Sequence, residues 1–122
     1  MRALVVDDSK AMRMILEKTL REVGFDEVTG VGHGQSALDM LNQGEPVDLM
    51  LVDWNMPVMN GYDLVCAVRA NPLLSHILIM MVTTETSMTN VEMALAAGAN
   101  EYLMKPFTRD VLQEKLALLG IG

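Results

Sequence analysis

Leu49-Met50-Leu51-Val52-Asp53-Trp54-Asn55-Met56-Pro57 decides how this chain is read. Its apolar run stops abruptly at an aspartate, and a loop carrying a proline follows. Such a run, without polar alternation, is the pattern of a strand buried on both faces, as in a parallel sheet. Asp53 then stands at the carboxyl end of that strand, where open α/β sheets place their ligand sites. Asp53 becomes the chemical centre, and the question is what the other strand ends bring to it.

Towards the N-terminus, Ala3-Leu4-Val5-Val6 reads as a first strand ending at Asp7-Asp8-Ser9, with Asp8 or Ser9 capping the helix that follows. Ile15, Leu16, Thr19, Leu20 and Val23 form the expected buried stripe of that helix, Arg13, Glu17, Lys18 and Arg21 its wet side, and Gly24 its stop. Glu27–Val31 is expected as a weaker strand near an edge. Gly34–Asn42 follows as a short helix with Ala37, Leu38 and Leu41 inward and Gly44 ending it.

Towards the C-terminus, Asn60-Gly61 opens a helix with Leu64, Val65 and Val68 inward, ended by Asn71-Pro72. Ile77-Leu78-Ile79-Met80-Met81-Val82 is the most continuous apolar run and reads as a central strand, closed by Thr83-Thr84-Glu85. Met88–Ala97 is a helix of small residues ending at Gly98. Glu101–Met104 is a fifth strand, closed by Lys105-Pro106. Phe107-Thr108 begins a last helix with Val111, Leu112, Leu116 and Leu119 inward. Five strands alternating with five helices predict an α/β fold, a parallel sheet covered on both faces. The pattern leaves the strand order open.

Composition narrows the class. A chain of 122 residues is expected to form one domain, 1–122, and to bury roughly two-thirds of its unfolded surface without a disulfide or metal staple. Cys66 has no second cysteine to pair with, lies in a helical pattern and reads as a small buried hydrophobe. A reduced, cytoplasmic protein is the expectation. A formal charge of −7 argues against nucleic acid as a partner. Acidic residues at 7 and 8 argue against a leader, and no apolar run is long enough for membrane insertion. The 12 methionines are read mainly as core filling. His33 and His76 have no second ligand in sight and read as surface residues.

The chemistry lies at the strand ends. Strand one offers Asp7 and Asp8, strand three Asp53 with Asn55, strand four Thr83, and strand five Lys105. If strands one and three are neighbours, three carboxylates share one rim, and like charges that close favour a cation. Oxygen-only ligands suit Mg²⁺, with Mn²⁺ as an alternative ion. Lys105 can hold a phosphate oxygen or pair with Asp53, and Thr83 supplies a hydroxyl. The set suits phosphoryl transfer to a carboxylate, with aspartate as nucleophile. Plainer readings exist for each residue. Asp-Asp before a helix is usually capping and dipole complement. Thr83 could simply close a strand, Lys-Pro bonds are normally trans, Tyr102 alone is a half-buried strand aromatic, and Trp54 packs beside the site.

Taken together, Asp7-Asp8, Asp53 with the Asn-Met-Pro after it, Thr83 and Lys105-Pro106-Phe107 resemble the receiver domain of two-component response regulators over essentially the whole chain. The resemblance implies a doubly wound (βα)5 flavodoxin-like fold with strand order 2-1-3-4-5. It implies that Asp53 is the phosphoacceptor and that Asp7, Asp8, Asp53 and the backbone carbonyl of Asn55 hold Mg²⁺. Thr83 matches the switch hydroxyl, Tyr102 the switch aromatic that turns inward, and Lys105 the family's lysine. Lys105-Pro106 matches a cis peptide. Asn55 and Glu85 flank the expected path of attacking water and would set the phosphate lifetime. The implied partners are a sensor histidine kinase and a downstream protein target, with a flagellar motor switch as one candidate. The target would read the surface of the fourth helix, fifth strand and fifth helix. Catalysis is limited to the domain's own phosphotransfer and dephosphorylation.

Among receivers the stand-alone chemotaxis type is the better match, on Asp53-Trp54-Asn55-Met56-Pro57, Glu85 two residues after Thr83, Tyr102, and an ending at Gly120-Ile121-Gly122 that leaves no effector domain. Other receivers serve other pathways or belong to longer regulators. Thr84 departs from that type's usual alanine and is expected to crowd the inward path of Tyr102. A haloacid-dehalogenase-like phosphatase would need Asp-x-Asp, but Asn55 cannot give a proton and no cap domain fits. A flavodoxin-like FMN binder would need a hydroxyl- and Gly-rich loop where Asp7-Asp8 stands.

Overall fold

Helix ends follow from local chemistry. In the computed structural model, which describes residues 1–84 and 87–121, Ser9 rather than Asp8 caps α1 (Lys10–Val23), its Oγ accepting from the Met12 N–H at 3.2 Å. Asn60 caps α3 (Gly61–Arg69) and Thr108 caps α5 (Arg109–Leu118) in the same way. Gly24 and Gly98 close α1 and α4 (Met88–Ala97) in the left-handed conformation. The fifth helix is α2 (Gly34–Asn42), and a 3₁₀ turn at Pro72–Leu74 follows α3.

The strands are β1 (Arg2–Val6), β2 (Glu27–Val31), β3 (Leu49–Val52), β4 (Leu78–Thr83) and β5 (Glu101–Met104). They form one parallel sheet in the order β2-β1-β3-β4-β5. Val6 faces Val31 on one side and Val52 on the other, Val52 faces Met81, and Thr83 faces Met104. This register brings Asp7, Asp53, Thr83 and Lys105 to one rim.

Successive strand residues point to opposite faces. Leu4, Val6, Met50, Val52, Ile79 and Met81 pack with Ala37, Leu64, Val65 and Ala94 on the α2–α3–α4 side. Val5, Leu49, Leu51, Met80, Val82 and Leu103 pack with Leu16, Leu20, Leu112 and Leu116 on the α1–α5 side. Edge strand β2 buries only Val28, which accounts for its weaker pattern.

Several inward assignments are corrected. Ile15 is exposed, and the α1 stripe runs Met12, Leu16, Leu20, Val23 instead. Positions i, i+4, i+8 and i+11 drift little around a helix, whereas Ile15 lies about 100° away from Leu16. Val111 turns outward for the same reason. Cys66 is exposed, on the side of α3 opposite Leu64, Val65 and Val68. The methionines divide: Met50, Met80 and Met81 fill the core, while Met14, Met88, Met93 and Met104 are exposed.

Candidate functional site

Asp7 directly follows β1 and Asp53 directly follows β3, so the pairing of these strands sets both carboxylates side by side. The Asp53 N–H donates to the Val6 carbonyl at 2.9 Å, which extends the ladder one residue into the site. Asp8 comes next along the chain. Carboxylate oxygens of Asp7, Asp8 and Asp53 lie within 4.8 Å of one another. Asp7 and Asp53 are buried, and Asp8 is exposed.

Lys105 reaches the pair from the end of β5. Its Nζ lies 2.9 Å from Asp7 Oδ2 and 3.4 Å from Asp53 Oδ2, so the shorter contact goes to Asp7. Asp7 Oδ1 also accepts from the Ser9 N–H at 2.8 Å, and Asp53 Oδ1 from the Asn55 N–H at 3.2 Å. Only Lys105 pairs directly with these three carboxylates, so the cluster keeps an excess of negative charge that a divalent cation would offset. The donors are oxygens and one side of the cluster is open at Asp8, which fits Mg²⁺ and equally Mn²⁺.

Thr83 ends β4 fully buried. The Asn55 amide donates to both Thr83 Oγ1 and Thr84 Oγ1, each at 3.4 Å, and so ties the loop after β3 to the loop after β4. Tyr102 is only 6% exposed and belongs to the α2–α3–α4 core. Thr84 is exposed and turned to Asn55. Tyr102 lies inside with Thr84 in this position. The Lys105–Pro106 peptide is cis. Glu85 lies outside the described residues. His33 and His76 are exposed.

Trp54 is half-buried beside Asp53 and stacks on Tyr62, with ring centroids 5.5 Å apart and planes at 28°. The neighbouring Cys66 thiol raises the pKa of the Tyr62 phenol. Two contacts escaped the sequence reading. Arg13, assigned to water, donates from Nη1 to the Asp7 carbonyl at 2.7 Å. The second contact is the Thr84–Asn55 bond.

Fold and site together define a doubly wound α/β domain with an acidic, lysine-bridged rim at its topological switch point. Known proteins agree with that class. The family model for the response regulator receiver domain matches residues 3–117. A chemotaxis protein CheY homolog of Campylobacter jejuni is 49% identical over 123 residues, covering 100% of this chain and 95% of the relative. Chemotaxis protein CheY1 of Helicobacter pylori is 45% identical over 119 residues, covering 98% and 96%. The solved structure of chemotaxis response regulator CheY4 of Vibrio cholerae superposes with a TM-score of 0.87 at 36% identity, covering 97% of each chain. The chain belongs to the response regulator receiver family.

Proposed function

We propose that this domain, residues 1–122, is a phosphorylation switch of the chemotaxis type that takes a phosphoryl group from a sensor histidine kinase onto Asp53. The observation that carries the reading is Lys105 lodged between two buried carboxylates at adjacent strand ends, beside a third. An Asp53 oxygen attacks phosphorus, the N–P bond of the donor phosphohistidine breaks, and the imidazole leaves with the bonding pair. Asp7, Asp8, Asp53 and the Asn55 carbonyl would hold Mg²⁺, which supplies charge neutralisation at the phosphoryl oxygens. Lys105 exchanges its carboxylate contact for a phosphoryl oxygen, and the Thr83 hydroxyl donates to another.

That exchange withdraws Thr83 from Asn55 and gives Tyr102, already buried, a fixed neighbour. The two-state element biased in this way is the α4–β5–α5 surface. Its exposed Met88, Met93, Leu95, Met104 and Val111 suit an apolar protein target, with a flagellar motor switch as one candidate. Asn55 and Glu85 set the lifetime of the acyl phosphate through the path of water. No external substrate is turned over. Among the described residues no helix is long and apolar enough to cross a membrane. Cytoplasmic action follows from the partners proposed.

Trp54 fluorescence tests the reading. Mg²⁺ should change the emission, and a small acyl-phosphate donor added next should change it again, a second step that Asp53→Asn lacks. No response to either addition would count against the proposed site.

A further inference from the structure

Asp8 accepts no hydrogen bond among the described residues, so nothing on its side chain fixes it. Its position depends on the peptide that precedes it. That peptide is one rigid plane with the Asp7 carbonyl at its other end, and Arg13 Nη1 donates to this carbonyl at 2.7 Å. The arginine is anchored in turn, because its own N–H donates to the Ser9 carbonyl at 3.0 Å in the first turn of α1.

Its side chain runs across the carboxyl end of β2, where two glycines clear the way. A Cβ at Gly32 would stand 3.1 Å from Arg13 Nη1, and one at Gly30 would stand 3.3 Å from Arg13 Cδ and collide with Glu17 Oε1. Asp7 is thereby gripped at every polar atom: N–H by the Val31 carbonyl, C=O by Arg13, and carboxylate by Ser9 and Lys105. Asp8 inherits its place from that grip.

We infer that Arg13 is a positioning residue of the acidic cluster, fixing the Asp7–Asp8 peptide and through it the Asp8 carboxylate. The inference rests on the reading of Asp7, Asp8 and Asp53 as a cation site. It has a sign that simple electrostatics does not share. Removing a positive charge near three carboxylates should tighten binding of a cation, whereas losing the grip on the peptide should loosen it.

The test is a Mg²⁺ titration followed by Trp54 fluorescence, checked by the Mg²⁺-dependent rise in the urea midpoint. Arg13→Met should weaken Mg²⁺ binding roughly tenfold, the scale of lost outer-shell partners. Arg13→Lys, which keeps a charge and a donor, should recover most of that loss. Unchanged or tighter binding in Arg13→Met would overturn the inference. Equal weakness in both variants would assign the loss to packing and overturn it too. Should Arg13→Met fail to fold, Gly32→Ala crowds the guanidinium while keeping its charge; weaker Mg²⁺ binding is expected there, and unchanged affinity would overturn the inference. A wild-type chain that binds no Mg²⁺ would remove the cation site itself and the inference with it. A wild type that binds, with variants that bind as well, removes the inference alone.

Discussion

Asp8 is the one carboxylate of the cluster that meets water, and that sets its energetic role. Asp7 and Asp53 share the Lys105 ammonium, while Asp8 adds a third negative charge with no partner among the described residues. Its neutral analogue Asp8→Asn should therefore raise stability in chelator, by roughly 0.5–1 kcal/mol as expected for one exposed charge pair. The same variant should lose the stabilisation that Mg²⁺ gives the wild-type chain. Urea unfolding with and without Mg²⁺ measures both effects, and a variant less stable than wild type in chelator would contradict the repulsion argument. At this scale much of the site was legible in the sequence. Asp7, Asp53, Thr83 and Lys105 end strands, and strand ends of a parallel sheet share a rim. Arg13 was not legible. Helical periodicity sends it towards solvent, and only the folded edge of β2, stripped at Gly30 and Gly32, shows that its side chain turns back.

Elements hold these residues in place, and the start of α3 shows how closely. The Gly61 N–H donates to the Trp54 carbonyl at 2.9 Å. A Cβ there would collide with the Asp53 carbonyl oxygen and stand 2.9 Å from Trp54 Cα. Backbone cannot give way as a flexible side chain can. Gly61→Ala should cost about 1–3 kcal/mol, the range for overpacking, and should slow phosphorylation by shifting the loop that carries Asp53. Denaturation midpoints and labelling rates measured on one preparation test this together. Wild-type values for both would show that the loop absorbs the methyl group freely. The same loop holds Val58 at φ 69°, an uncommon conformation for a β-branched residue, fully exposed. Element boundaries were readable because caps and stops are local: Ser9, Asn60, Thr108, Gly24 and Gly98 act within a few residues. The directions of Ile15 and Val111 were not. Each lies at the margin of an apolar stripe, where the neighbouring layer decides which residue is covered. Cys66 is a different case, since helical periodicity alone places it opposite Leu64, Val65 and Val68 and only its apolar character suggested burial.

Across the whole molecule, β1, β3 and β5 deliver charges to one rim, while α4, β5 and α5 carry the apolar surface proposed to meet a target. Lys105 stands at the junction, following β5 and touching Asp7 and Asp53. Lys105→Ala frees both carboxylates for a cation, so Mg²⁺ binding should be at least as tight as in wild type. The link from phosphoryl group to surface should be lost. Partner binding measured with and without phosphodonor should differ for wild type and coincide for the variant; a variant that still responds would deny Lys105 its role in the switch. The alternation of strands and helices made the α/β class legible, but strand order is a long-range property that periodicity does not encode. It came from the resemblance of the strand-end residues to a known family, and the observed order agrees.

Phosphoryl transfer to Asp53 is the claim on which the others depend. Intact-mass spectrometry after incubation with Mg²⁺ and a small acyl-phosphate donor measures it most directly. One phosphoryl group per chain on the wild type, mapped to Asp53 and missing from Asp53→Asn, is the predicted result. Undiminished incorporation in Asp53→Asn, or none in the wild type, would contradict it.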